Sequence, residues 1–242
     1  MMLAQRHSTV QHRSRGARVS ATDLRMEYQT PAGRVDALDG VTIEIWPASS
    51  TAIVGPSGCG KSTLLGILGG LELPTRGEVR VDDHLISTMP DRPRAQLRRT
   101  AFGYVFQEDN LQPFLTVSEN VAVQAVLAGV AEDPERDQRL LDALEVGSLG
   151  HRFPDQLSGG QRQRVAVARA LVHGPRVVLA DEPTGSLDAE SSARVVDLLL
   201  HLQKQEGITL VIVTHDPAVA AQMDATVPMR DGRLAVTQRP RA

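Results

Sequence analysis

The chain has 242 residues, 41% apolar and 23% charged. This is an ordinary globular make-up, long enough for one large domain or two small ones around a substantial core. A net charge of −3 argues against nucleic acid as the main partner, and the single cysteine, Cys59, excludes an intrachain disulfide framework and a multi-cysteine zinc site. No run approaches the roughly 18 consecutive apolar residues of a membrane span, and no apolar segment follows the first methionine. The expectation is a soluble chain without a signal peptide.

Residues 1–18 hold Arg6, Arg13, Arg15 and Arg18, no acid and almost no apolar pattern. They read as a disordered basic tail that could touch anionic lipid. Val19–Tyr28 and Val35–Ile45 read as strands of an antiparallel layer, joined by a turn at Pro31-Ala32-Gly33. Tyr28 has two readings: a half-buried strand tyrosine, or a flat ring placed to stack on a purine base.

The apolar run Thr51-Ala52-Ile53-Val54 then leads into Gly55-Pro56-Ser57-Gly58-Cys59-Gly60-Lys61-Ser62, and Thr63-Leu64-Leu65-Gly66-Ile67-Leu68 continues as a helix. Strand, glycine-rich loop and helix form the context of a phosphate-binding loop. Glycines let successive backbone N–H groups turn inward on an anion, and the helix dipole points at the same place. Lys61 can reach the β- and γ-phosphates of a nucleoside triphosphate, and the Ser62 hydroxyl can ligate Mg²⁺. Cys59 inside the loop is either a small filler or a thiol that nucleotide protects.

Further along, Glu78–Val81 reads as a short strand, Arg92–Arg99 as a polar helix and Phe102–Phe106 as an apolar strand ending in Gln107. From about Thr116 to Val146 the spacing is helical, with Pro134-Glu135 as a helix start. This insert predicts a helical subdomain over about 108–165. Leu157-Ser158-Gly159-Gly160-Gln161 opens a helix to about Val172. Ser158 is its N-cap, and two glycines leave the first-turn N–H groups bare, a second anion-binding terminus.

Val177–Ala180 reads as a buried parallel strand ending in Asp181-Glu182. Carboxylates at such a strand end lie in the ligand crevice. Asp181 is placed to hold Mg²⁺, and Glu182 to accept a proton from an attacking water or orient it. Thr209–Val213 is another buried strand, and His215 at its end can hydrogen-bond a γ-phosphate. Met229–Arg233 reads as a hairpin-like turn. The expected organisation is one domain over 19–236 and a flexible end at 237–242.

Taken together, these stretches resemble the ATP-binding cassette (ABC) ATPases over roughly residues 20–236. The deciding stretch is Leu157–Gln161, which ordinary P-loop ATPases lack. The resemblance implies an α/β P-loop NTPase fold with a mostly parallel core sheet, an N-terminal antiparallel layer and an inserted helical subdomain. It implies that ATP and Mg²⁺ are bound and ATP hydrolysed. Tyr28 would stack on adenine, and Gly55–Ser62 with Thr63 would hold the phosphates. Lys61, Gln107, Glu182 and His215 would be catalytic, and Ser62, Gln107 and Asp181 would hold the metal.

By the same resemblance, Ser158, Gly159, Gly160, Gln161 and Asp188 would complete the nucleotide site in a head-to-tail dimer of two copies. The implied partners are that second copy and a transmembrane permease, docked near Gln107, Leu111, Phe114 and Leu115 on the cytoplasmic side of the cell membrane. No nucleic acid is expected. The form Asp181-Glu182-Pro183-Thr184-Gly185-Ser186-Leu187-Asp188, with Leu68–Leu71 and Met229–Gly232, is similar to the ATPases of lipoprotein-releasing, macrolide-exporting and antimicrobial-peptide-exporting systems. An importer ATPase and a non-transport cassette are the alternatives. Ala48-Ser49-Ser50 departs from the family's Gly-Glu, Ser186 from a common Asn, and Gln112 from an apolar residue.

Overall fold

The computed structural model of the chain describes residues 16–31 and 33–235. Two sheets carry the fold. β1 (Val19–Thr30), β2 (Gly33–Ile45), β4 (Arg76–Val81) and β5 (His84–Leu85) form an antiparallel sheet in the order β2-β1-β4-β5. The second sheet has the order β10-β9-β3-β8-β7-β6. Its members are β3 (Ser50–Val54), β6 (Phe102–Val105), β7 (Val177–Asp181), β8 (Thr209–Thr214), β9 (Ala225–Arg230) and β10 (Arg233–Leu234). Its pairings are parallel except the hairpin β9–β10. There Asp231 and Gly232 both take positive φ, 47° and 73°, the tight primed turn that a two-residue hairpin favours.

The central strands are apolar at nearly every position because both faces are covered. Period-two alternation divides them cleanly. Val178, Ala180, Leu210, Ile212 and Ala52 pack with α5 (Gly159–Leu171) and α6 (Ala189–Glu206). Val177, Leu179, Val211, Val213 and Ile53 pack with α1 (Lys61–Leu68) and the antiparallel sheet. So α1 lies on one face of the parallel sheet, and α5 and α6 lie on the other.

The helical insert is built from α3 (Val117–Ala128) and α4 (Pro134–Ala143), after α2 (Asp91–Ala101) and β6. A capping box of Thr116 and Glu119 starts α3, and Gly129 at φ 73° ends it. Asp133 caps α4, with Pro134 at its first position. The insert shares α5 with the core: the helix runs without a break past residue 165, and Val165, Ala166, Val167 and Ala168 are fully buried.

Residues 1–15 of the expected basic tail and the expected flexible end at 237–242 lie outside the described residues. Gly16–Arg18, assigned to that tail from sequence, are instead part of the fold. Gly16 N–H donates to Gly207 O (2.7 Å), Ala17 N–H donates to Arg176 O (3.3 Å), and Thr209 Oγ1 donates to Ala17 O (2.8 Å). The Arg18 guanidinium lies 5.5 Å from the centre of the Trp46 ring and pairs with Glu44. These partners come from distant parts of the chain, so a short polar stretch gives no local sign of them. Helix α6, which Asp188 caps, has no counterpart among the elements expected from the sequence.

Candidate active site

Register brings the site together. Val54 of β3 pairs with Thr214 of β8, and Asp181 of β7 pairs with Val213. The residues that follow these strands, Gly55, Glu182 and His215, therefore leave the sheet at the same C-terminal edge, where open α/β sheets bind ligands.

The loop from Gly55 to Gly60 needs its glycines. A Cβ on Gly55 would stand 2.2 Å from Met229 O. Gly60, at φ 100°, would put one 2.4 Å from Ala37 O. No side chain caps α1 and no acid sits in its first turn, so the N–H groups of that turn point out of the helix without an intrahelical acceptor. The hairpin turn supports the loop from below: Gly232 N–H donates to Cys59 O at 3.1 Å. Cys59 is 4% exposed and packs in the core layer, the filler reading of that residue.

Lys61 opens α1 and is 6% exposed. Its Nζ donates to Gly55 O (2.9 Å) and Pro56 O (3.1 Å), with Glu182 Oε1 at 3.8 Å. A buried cation whose hydrogen bonds all go to loop carbonyls is the counterpart of an anion seated in that loop. Next to it, Ser62 Oγ donates to Asp181 Oδ1 at 3.0 Å. Burial pushes the Asp181 carboxyl above its ordinary value. The Glu182 charge adds to this, and the Ser62 hydrogen bond and Lys61 oppose it.

Glu182 sits in the left-handed region, φ 44°, an unusual conformation for this residue type. Its N–H donates to Val213 O at 2.9 Å, extending the β7–β8 ladder by one bond. The turn aims its carboxylate at Lys61 on one side and at His215 on the other. His215 Nδ1–H donates to Glu182 Oε2 at 2.8 Å, and the His215 ring is 66% exposed.

The other expected residues lie elsewhere. Gln107 packs its amide against Gly185, and its carbonyl accepts a bond from Ser186 Oγ at 3.4 Å. The structure thus joins Ser62 to Asp181 and places Gln107, which follows β6, against the loop beyond Glu182. Ser158 caps α5 in a full capping box with Gln161 (Oγ from Gln161 N–H, 3.2 Å; Gln161 Oε1 from Ser158 N–H, 2.9 Å). Asp188 caps α6, accepting from Ser191 N–H at 2.9 Å, and these bonds hold its carboxyl below the ordinary value. Gly160 lies against Ser191, so the two helix N-termini stand side by side. The helices they begin pack on the face of the sheet opposite α1. Tyr28, near the end of β1, points its hydroxyl at Glu72 beyond α1.

Sequence reasoning missed the residues that hold the segment after Gln107. Gln163 donates to Phe106 O (2.9 Å), Arg162 to Asp109 Oδ2 (2.8 Å), and Arg169 to Asp109 O and Asn110 O (both 2.7 Å). Their signal was the polar run on an otherwise core-facing helix. Of the residues named for a docking groove, Phe114 is 72% exposed, whereas Leu111 is a core residue at 9%. The turn that presents Phe114 is fixed from within by Asn120, which is fully buried. Its side chain donates to the carbonyls of Gln112, Leu115 and Thr116 and accepts from Gln112 N–H.

The family profile described as ABC transporter matches residues 38–185. The macrolide export ATP-binding/permease protein MacB of Shigella flexneri is 47% identical over 218 residues, which cover 88% of this chain and 33% of that protein. The chain therefore spans about a third of the length of the curated relatives it matches. The dimeric structure of MJ0796, a bacterial ABC transporter cassette, superposes with a TM-score of 0.86 at 35% identity, covering 93% of this chain and 99% of that one. A post-hydrolysis dimer of MJ0796 bound to ADP and Pi gives a TM-score of 0.85 at 36% identity over the same shares. Among the described residues no helix is long and apolar enough to cross a membrane.

Proposed function

Since the chain belongs to the ABC transporter family, we propose that it is the ATPase cassette of a transporter of the export or mechanotransmission type, closing on ATP as a head-to-tail pair. The relatives at 46–48% identity named for macrolide export support the exporter branch. The observation that carries the reading is a division of labour in space. Lys61, Ser62, Asp181, Glu182 and His215 converge at the C-terminal edge of the parallel sheet, while Ser158–Gly160 start α5, which packs on the face opposite α1. A triphosphate held by the first set meets the second set only when another copy supplies it.

The roles follow from the contacts. Lys61 exchanges its two loop carbonyls for phosphate oxygens, and the free N–H groups of α1 take the rest of the negative charge. Ser62 and Asp181 are the residues that fit Mg²⁺: a hydroxyl and a carboxylate already 3.0 Å apart. Bound there, the metal would neutralise charge on the phosphates. Glu182 orients the attacking water and takes its proton, and the His215 bond fixes that carboxylate. Tyr28 stacks on the base. Exposed Phe114 supports docking to a permease, which would place the cassette on the cytoplasmic face of the membrane.

The test uses Glu182→Gln, which keeps the shape and removes the base. With Mg-ATP this variant should shift from monomer to dimer in light scattering, turn over far more slowly than the natural chain, and capture a few-span permease from source membranes. Natural turnover rates together with a monomer at saturating Mg-ATP would overturn the reading. Capture of a many-span permease with a solute-binding protein would move it to the importer branch.

A further inference from the structure

Tyr28 lies near the free end of a hairpin. It pairs with Val35, two pairs from the Thr30–Gly33 turn, and its neighbours Gln29, Thr30 and Val35 are exposed. Strand ends like this hold a side chain weakly. Yet the ring is tethered just past the end of α1. Its hydroxyl donates to Glu72 Oε2 at 2.5 Å.

Glu72 is itself fixed. Its N–H donates to Gly66 O at 3.3 Å, alongside the Leu71 N–H to the same carbonyl at 2.8 Å. Its Oε1 lies against Gly66, 3.6 Å from where a Cβ would stand. The carboxylate is therefore tied to the same helix whose N-terminus faces the phosphates. Burial and this carboxylate push the Tyr28 phenol above its ordinary value, so it stays a donor across neutral pH.

We propose that Glu72 is a positioning residue: through the Tyr28 hydroxyl it sets the ring against which the purine base stacks, in fixed relation to the phosphate loop. This rests on the stacking role given to Tyr28 above. The tether couples the two ends of the nucleotide site, base and phosphate, through one rigid helix. It lowers the cost of ordering the ring when nucleotide binds.

The experiment titrates the full chain with Mg-ATP and, separately, with magnesium tripolyphosphate, which has no base. Glu72→Ala and Tyr28→Phe should each weaken Mg-ATP binding about 3- to 10-fold, the span of one lost hydrogen bond. The double variant should be no weaker than either single, because both remove the same bond. Glu72→Gln, whose amide oxygen still accepts, should bind near the natural level. Tripolyphosphate affinity should not change in any variant. Unchanged Mg-ATP affinity in Glu72→Ala, with Tyr28→Ala clearly weakened, would overturn the proposal and leave stacking in place. Parallel loss of tripolyphosphate binding would overturn it by showing damage to the phosphate loop. Unchanged Mg-ATP affinity in Tyr28→Ala would remove the stacking role and the proposal with it.

Discussion

Asp181 shows what a single side chain costs when it is set for a ligand. Its carboxyl is half-buried, and burial raises it above the ordinary range. A group raised in this way binds its proton more tightly in the folded chain than in the unfolded one. Stability therefore falls as pH rises from about 4 through the folded value. The nucleotide-free chain at neutral pH carries an unfavourable charge that a bound cation would relieve. Asp181→Asn should raise the melting temperature of the nucleotide-free protein at pH 7, and the gain should shrink toward pH 4. It should also abolish hydrolysis. A thermal melt across that pH range checks the sign: a lower melting temperature for the variant at pH 7 would show that the Ser62 bond outweighs burial. Ala48 illustrates the opposite case, a departure from the family's residue with a visible backbone consequence. It sits at φ 58°, where glycine is the easier residue.

Helix α5 is the element that ties the site together. Its N-terminus presents Ser158–Gly160, its apolar face is buried against the sheet, and its polar residues Arg162, Gln163 and Arg169 hold the backbone from Phe106 to Asn110. A shift of this helix must carry the Gln107 segment with it. Gln163 is 2% exposed, so its bond to Phe106 O is made away from water. Gln163→Leu keeps the volume and leaves that carbonyl without its donor. It should cost about 1–3 kcal/mol of stability in a urea titration. A variant as stable as the natural chain would show that Phe106 O finds another donor and that the tie is not needed.

At the scale of the molecule, on the proposed head-to-tail reading, the parallel sheet separates the two halves of a nucleotide site. Asp181 and Glu182 lie at the end of β7, His215 follows β8 and Lys61 starts α1, whereas Ser158–Gly160 start α5, which packs on the sheet face opposite α1. On that reading a complete site would need two molecules related by a two-fold axis. Mixing experiments test this directly. Lys61→Ala and Gly160→Asp chains should each be inactive alone. Mixed in equal amounts, half of the dimers pair unlike chains, and each of those holds one intact site. Activity should therefore return to about a quarter of the natural level. No recovery from a mixture that forms dimers would mean that a site is completed within one chain.

Much of this was legible in order along the chain. The glycine loop, Asp181-Glu182, the Ser158 cap and the buried strands are local signals, because backbone conformation and periodicity depend on near neighbours. Tertiary structure alone decided which of these meet. Strand register, set by alternation against two covered faces, aligned Val54 with Thr214 and Asp181 with Val213 and so brought Ser62 to Asp181 and Glu182 to His215. It also put Leu111 in the core and gave Gly16–Arg18 distant partners. It tied Tyr28 to Glu72 across 44 positions of sequence. Contacts of that kind are made by packing between elements, and no short stretch of residues encodes them.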